Sequence, residues 1–502
     1  MVGSFAVVCV WYATAPGTGI SPDSAIYIGA ARNLLAGRGL TVGGMPLTHF
    51  PPLFSVLLAI GGLFGPDPAV VARGLNAALL GANVFLLGYA IHQTTGALWT
   101  AVLGSVLALV AGDIVEPHTW AWSEPLMLGL GFAGFLLLDR DLKAPRLGRL
   151  VGAAAVLGLA LLARYAAIPL IGTAMLGIVL FRPGRLRSRL GAAGVFTLIS
   201  CGPFGLWLLR NWLRAGGTTD RHFFIHWITD KHFISARATC AGWFHFTTGK
   251  LPVEQQTTLL FIALGILLLL VAVLIWKTVR PNPSADGKPL TPRLPWLLLI
   301  FGLSYFSFLV VSISFFDFNT PLDSRILCPL HFVLIAFTLC VLQAGCSADR
   351  WSRWVGVGLL IVGGWSVWPQ WKKVQITLAE HHLNGRGFAS QKWRNCEFLD
   401  RIRNMPEVPI YLNEIVGTTY YTGRSIKLIP VRRDSVTAQP NTKLAEQLQR
   451  LKEDLTDRQG VLIILKLGGW SGNLIPRDEL FKTLNLTSVE KTPDAEVFTI
   501  PP

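Results

Sequence analysis

TTLLFIALGILLLLVAVLIW (residues 257–276) carries no charged side chain. As an α-helix rising about 1.5 Å per residue it would span roughly 30 Å, the thickness of a bilayer's hydrocarbon core. A soluble helix of that length needs a polar face, and this stretch has none. Runs of similar character recur outward from it, at 70–91, 98–111, 125–138, 150–163, 166–181, 190–209, 294–316, 326–346 and 354–368. A shorter run, 1–14, starts the chain. It has neither a basic leader nor a small-residue cleavage site, so it reads as a first span and not as a signal peptide. The pattern predicts a mainly α protein, a polytopic transmembrane helix bundle of about 11 spans.

With 52% hydrophobic and 15% charged residues, the composition of the 502-residue chain excludes an ordinary soluble protein. Its formal charge of +15 is no nucleic-acid signature, because the basic residues cluster in alternate loops. Arg140, Lys143, Arg146 and Arg149 form one cluster, and Arg182, Arg185, Arg187 and Arg189 a second. Lys277, Arg280, Lys288 and Arg293, then Arg350 and Arg353, complete the set. The positive-inside rule places these loops in the cytoplasm. The intervening loops, with Asp23, Asp113, Glu116, Glu124, Asp317 and Asp323, then face outward. Arg32, Arg38, Arg73, Arg210, Arg214, Arg221 and Arg237 fall outside as well, and an anionic lipid phosphate is one reason for arginines to be there.

Two outer segments stand out. SPDSAIYIGAARNLLAGRGLTVGGMPLTHFPPLF (residues 21–54) is the first sizeable break between apolar regions. It opens at Asp23, holds an amphipathic helix over 25–35, turns on Gly37, Gly39, Gly43 and Gly44, and closes on Pro51-Pro52. A second short helix is expected over 56–64. The segment 210–256 is rich in Trp, Phe and His, His222 and His245 among them, which suits the outer headgroup layer. Segment 277–295 reads as a cytoplasmic linker. At Trp371 the composition changes. Residues 1–370 form the membrane domain, and 371–502 a small soluble α/β domain on the side of Asp23. Helices are expected there over 392–405 and 443–455, and strands over 408–412, 425–429 and 461–467.

Candidate chemistry gathers at the outer ends of the spans. Asp23 either receives a proton from an incoming hydroxyl or amine, or caps the helix that follows it. Asp113, Glu116, His118 and Glu124 could hold a divalent ion or orient an acceptor, although their spacing fits no metal motif; the plainer reading is a solvated loop. Arg164, Arg210 and Arg325 either bind phosphate through the guanidinium fork or merely reach to the interface. The seven cysteines show no metal spacing, and a disulfide between Cys240 and Cys396 has no support beyond their shared side.

The order of several short motifs carries a resemblance. Pro22-Asp23 is followed by Tyr27, Ala31 and Leu34-Leu35-x-Gly37, then by Pro51-Pro52-Leu53 and Ala72-Arg73-x-x-Asn76. Ser123-Glu124-Pro125, Arg164-Tyr165 and Asp323-x-Arg325-x-Leu327-x-Pro329 come next. The outer domain adds Ile410-Tyr411-Leu412-Asn413, Tyr420-Tyr421-Thr422-Gly423-Arg424 and Pro430. This series resembles the GT-C membrane glycosyltransferases that use polyprenyl-phosphate sugars, including relatives of protein O-mannosyltransferases and of the enzymes that put aminoarabinose on lipid A. The sequence departs from them in Asp113-x-x-Glu116, where a plain acidic pair is expected, and in its short first span.

The resemblance implies an inverting transfer from a polyprenyl-phosphate sugar to a lipid, glycan or protein acceptor at the outer face of the inner membrane. Asp23 is then the base or acceptor-orienting carboxylate, and an outer arginine holds the lipid phosphate. The expected substrate-binding set is Arg73, Asp113, Glu116, His118, Glu124, Arg164, Tyr165 and Arg325, with a divalent metal left open. A transporter or lipid flippase is the main competitor. It would place ionisable groups near the bilayer midplane, where these spans have almost none. A scaffold displaying its outer domain would leave the outer acids and arginines without a role.

Overall fold

The computed structural model describes residues 1–221, 223–244, 251–279, 293–346, 350–434, 436–437 and 439–501, with backbone alone at 345–346 and 350–366. His222, His245, and Arg280 and Lys288 of the expected linker lie outside the described residues.

Helix α1 (Val2–Ala13) leads to α2 (Pro22–Leu35), a hairpin of β1 (Thr41–Val42) and β2 (Met45–Pro46), and α3 (Leu53–Gly62). Then come α4 (Pro68–Thr95), α5 (Leu98–Val110), the single turn α6 (Gly112–Val115), α7 (Glu124–Lys143), α8 (Leu147–Ala163) and α9 (Ile168–Phe181). The membrane region closes with α10 (Leu186–Ala215), α11 (Asp230–Trp243), α12 (Val253–Val279), α13 (Arg293–Phe315), α14 (Ser324–Cys346) and α15 (Arg350–Asn384). Helix bounds follow local chemistry. In α4 the Asp67 carboxylate accepts from Ala69 N at 2.8 Å, Pro68 supplies the preset first turn, and Gly96 ends the helix in the left-handed region.

Among the described residues five helices, α4, α10, α12, α13 and residues 324–344 of α14, are long and apolar enough to cross a membrane. A sixth span results if α5 and the segment after it, bent by 74°, count as one. The apolar helices 2–13, 53–62, 147–163 and 165–181 are shorter. The 20-residue α7 carries Glu124, Asp139, Arg140, Asp141 and Lys143 near its ends, which removes it from an apolar-window count although most of its surface is buried.

Polar contacts collect at two opposite ends of these helices. At one end Arg182 Nε donates to Asp141 Oδ2 (2.8 Å), Arg140 Nη2 to Tyr89 Oη (2.6 Å), and Arg293 to the Leu142 carbonyl. Asp23, Glu124, Arg164 and Arg325 lie at the other, at the far ends of α7, α8 and α14.

The remainder of the chain runs through α16 (Gln391–Arg394), α17 (Glu397–Asn404), β3 (Ile410–Leu412), α18 (Val416–Thr422), β4 (Lys427–Leu428), α19 (Leu444–Thr456), β5 (Val461–Leu465), α20 (Arg477–Leu484), β6 (Thr487–Lys491) and β7 (Ala495–Thr499). Its five-stranded sheet has the order β4-β3-β5-β7-β6. The pairs β3–β4 and β3–β5 are parallel, and β5–β7 and β6–β7 antiparallel. Helix α15 continues through residue 371, where the composition changes, as far as Asn384.

This unit shares a core with the first part of the chain. One apolar cluster runs from Tyr27, Phe54 and Leu58 to Trp393, Phe398, Leu412 and Ile463. Backbone bridges join Gly19 to Trp120 and Ile20 to Gly387. Gly387 has φ +58°, and a Cβ there would fall 2.1 Å from the Ile20 carbonyl oxygen, so the close approach requires glycine. Arg32 Nη2 reaches Tyr420 Oη at 3.3 Å, which fixes α18 against α2. The sheet unit and Asp23 thus share one end of the bundle.

Candidate active site

Asp23 occupies the second position of α2. The cap is Ser21, whose Oγ accepts from Ser24 N at 3.2 Å, with Pro22 next. Asp23 is therefore free of capping duty, and its Oδ2 takes a hydrogen bond from Arg325 Nη2 at 2.5 Å. Arg325 owes its place to Asp323, which caps α14 by accepting from Ile326 N at 3.1 Å and so sets Arg325 in the first turn. The same guanidinium donates through Nε to Glu124 Oε1. The other carboxylate oxygen, Oε2, faces Arg164 Nη1 at 3.0 Å as an ion pair without the alignment of a hydrogen bond.

Two carboxylates and two guanidinium groups thus form a quartet of zero formal charge. Glu124 is 4% exposed and Arg325 19%, so the charges depend on one another for their solvation. Burial pushes the Asp23 carboxyl up, but the neighbouring charges of Arg325 and Arg164 outweigh it and hold the group below the usual carboxylate range.

Aromatic side chains brace the quartet. The Arg325 guanidinium lies 3.9 Å from the Trp122 ring centre, and Trp122 stacks on Trp120 at 4.9 Å. Trp122 Nε1 donates to Ser21 Oγ (2.7 Å), and Tyr27 Oη shares a hydrogen bond with Ser123 Oγ (2.8 Å). Asn76 Nδ2 donates to the carbonyls of Trp120 (2.6 Å) and Trp122 (3.1 Å), tying α4 to the loop that ends at Glu124.

A cleft of about 590 Å³, counted out to its open mouth, reaches three members of the quartet. Glu124, Arg164 and Arg325 give it a charged lining; Phe50, Phe308 and Leu309 give an apolar one. Tyr165 and Arg221 also line it. Tyr165 Oη donates to the Thr48 carbonyl at 3.0 Å, and Arg221 faces Asp317 at 3.8 Å. An anion can enter such a cleft along an apolar wall and meet guanidinium groups at its end.

Other expected site residues lie elsewhere. Arg73 Nη2 donates to the Trp11 carbonyl (2.9 Å), and its guanidinium lies 4.0 Å from the Trp11 ring centre, so it fastens α4 to α1. His118 is buried; Nδ1 donates to the Ile114 carbonyl (2.8 Å), and Nε2 accepts from Asn83 Nδ2 (3.0 Å). That makes it a neutral structural histidine. Asp113 pairs with His331 Nδ1 at 2.7 Å, and Glu116 lies within electrostatic reach of Arg386. Arg210 braces the β1–β2 region through the carbonyls of Leu47 (2.8 Å) and Leu40 (3.0 Å). Cys240 and Cys396 are both free.

Among the described residues no three His, Cys, Asp or Glu side chains come together so as to hold a metal ion. The two acids of the quartet are directed to arginines. Sequence reasoning missed Trp122, the platform under Arg325, and His49, which directly precedes Phe50-Pro51-Pro52. An aromatic beside an acidic motif was the one available signal for the first.

No protein-family model matches the chain, and no curated protein matches it. Solved structures do. ArnT from Cupriavidus metallidurans bound to undecaprenyl phosphate superposes with a TM-score of 0.60 at 13% identity, covering 100% of this chain and 97% of ArnT. The arabinofuranosyltransferase AftD from Mycobacteria gives 0.54 at 15% identity, with 100% of this chain covered and 41% of AftD. The Archaeoglobus fulgidus oligosaccharyltransferase complexed with Zn and sulfate gives 0.51 at 12% identity, covering 95% and 70%. At these identities the likeness is one of fold, the fold shared by ArnT, AftD and the oligosaccharyltransferase.

Proposed function

We propose that the protein is a multi-pass glycosyltransferase of the cell (inner) membrane. It moves a sugar from a polyprenyl-phosphate donor to a lipid, glycan or protein acceptor at the outer face. The observation that carries this reading is the quartet beside the cleft, where Arg325 bridges Asp23 and Glu124. The binding of undecaprenyl phosphate by ArnT, a protein of the same fold, supports the donor class.

The reaction needs charge stabilised on a departing phosphate and a hydroxyl made nucleophilic. Arg325 and Arg164 hold positive charge where the phosphate would leave, already oriented by Glu124. Arg221, also lining the cleft, adds a third guanidinium. Asp23 accepts the hydrogen bond of the incoming hydroxyl and draws its proton as the bond to the sugar forms. Attack opposite the leaving phosphate inverts the anomeric centre.

Eleven crossings, counting α7, α15 and the shorter helices α1, α5, α8 and α9 with the five long spans, would put 371–502 outside the cytoplasm with Asp23. The basic end near Arg140, Arg182 and Arg293 supports that orientation. The test is turnover by the purified protein in lipid nanodiscs with a panel of polyprenyl-phosphate sugars, reading release of polyprenyl phosphate. Mass spectrometry of envelope glycans and lipids from cells with and without the protein identifies the substrates. No turnover with any donor, and an unchanged envelope, would overturn the proposal.

A further inference from the structure

His49 Nδ1 lies 2.6 Å from Asp220 Oδ2. An ionised carboxylate can only accept, so Nδ1 donates the hydrogen, and in the neutral imidazole Nε2 is left with a lone pair. Among the described residues Nε2 has no hydrogen-bond partner. The pair sits at the edge of the cleft. Phe50, next to His49 in the chain, lines it, and their rings meet edge-on at 4.3 Å. Arg221, next to Asp220, lines it too. Once protonated, His49 acts electrostatically on the Asp23 carboxyl and lowers its pKa. The charged and titratable groups around the pair are Asp23, Arg221 and Tyr165.

The proposed transfer creates a proton that must go somewhere. The acceptor's oxygen bonds to the anomeric carbon, and the carbon–oxygen bond to phosphate breaks with its electron pair on the phosphate oxygen. A singly charged phosphodiester becomes a monoester with one more negative charge, and the hydroxyl proton is set free. Asp23, clamped by Arg325, is a poor place to keep it. His49, about a third exposed and within electrostatic reach of Asp23, is an imidazole already oriented by a carboxylate.

We propose that His49 is the terminal proton acceptor of the reaction: Nε2 takes the proton that the acceptor hydroxyl gives up to Asp23, Asp220 stabilises the imidazolium, and water carries the proton away. The assignment rests on the glycosyl-transfer reading above. It makes His49 and Asp220 part of the machinery and not only a link between the loop at 47–50 and the segment after α10.

Chemical rescue tests it. Transfer of sugar from a polyprenyl-phosphate donor is measured with wild-type, His49→Gly, His49→Gln, Asp220→Asn and Asp23→Asn proteins in nanodiscs. His49→Gly should lose about 10²- to 10⁴-fold in turnover, as loss of a positioned base does, with donor KM near wild type. Added imidazole should restore it, and among substituted imidazoles the rescued rate should rise with ring basicity. Asp23→Asn should gain nothing from imidazole. Should the glycine protein fail to fold, His49→Gln at wild-type thermal stability should show the same loss of turnover. Full activity of either His49 variant, or a loss that imidazoles do not restore in the folded glycine protein, overturns the assignment. If the wild type transfers sugar while rescue fails, only this inference falls; if the wild type transfers none, the glycosyl-transfer reading falls with it.

Discussion

Arg325 Nη2 stands 2.5 Å from Asp23 Oδ2, joining two residues 302 positions apart in the chain. The contact fastens the first turn of α14 to the first turn of α2, and Glu124 holds the other arm of the fork. Because Arg325 lies against Trp122, the guanidinium plane is fixed as well as its charge.

Arg325→Lys should therefore retain part of donor use and Arg325→Ala less. An ammonium keeps the charge but cannot serve Asp23 and Glu124 with the same planar fork. A donor-hydrolysis assay reads the difference as a rank order, wild type above Lys above Ala. Equal rates for Ala and wild type would remove Arg325 from the phosphate site.

Acid should weaken the α2–α14 contact. The Asp23 pKa is lowered in the folded protein, so its contribution to stability is present above the unfolded carboxyl value, about 3.9, and is lost as pH falls through the folded value. In thermal melts of the detergent-solubilised protein between about pH 6 and 3, the wild-type midpoint should drop more steeply than that of Asp23→Asn, which begins lower. Parallel curves would mean that the ion pair contributes nothing to folding.

The orientation of the bundle is open to labelling. Residues 139–149 and 182–189 should be reached only from the cytoplasm and position 440, in the sheet unit, only from outside. Single cysteines in a cysteine-free variant, treated with a membrane-impermeant maleimide, report this directly. Labelling of position 440 from the cytoplasmic side alone would reverse the assignment and put Asp23 on the wrong face for an outer-leaflet donor.

Part of this site was legible from the chain and part was not. Asp23, Glu124, Arg164 and Arg325 could be grouped because charged residues flanking alternate apolar runs must emerge on one side. Which of them touch could not be read, because nothing in local spacing links residue 23 to residue 325. Arg73 looked the same as Arg164 in sequence; its partner, Trp11, is an aromatic at the end of the short first helix, and any outer tryptophan would have served. His118 depended on Asn83, a polar residue inside α4 whose purpose appears only when α4 packs beside the 116–119 turn. In the sheet unit, β5 announced itself as VLIIL, buried along almost its whole length. The edge strand β6, TSVEK, is nearly all exposed and has no apolar alternation, so only its pairing with β7 reveals it.

Asp23→Asn is the decisive substitution. Ser21, not Asp23, caps α2, so neither Asn nor Ala at position 23 removes a helix cap. What Asn removes is the negative charge facing Arg325 and the ability to receive a proton, while size is kept. Two roles for Asp23 then separate in kinetics. If the carboxylate only steadies Arg325, its loss should appear in donor binding, raising donor KM with kcat little changed. If it receives the acceptor's proton, kcat should fall about 10²- to 10⁴-fold, with donor KM near wild type. The second result is expected. Initial rates of sugar transfer against donor concentration, with wild-type and Asn proteins compared at a temperature where both are folded, give both constants at once. Near-normal kcat in the Asn variant would leave Asp23 as a structural partner of Arg325 and the reaction without a group to draw the proton.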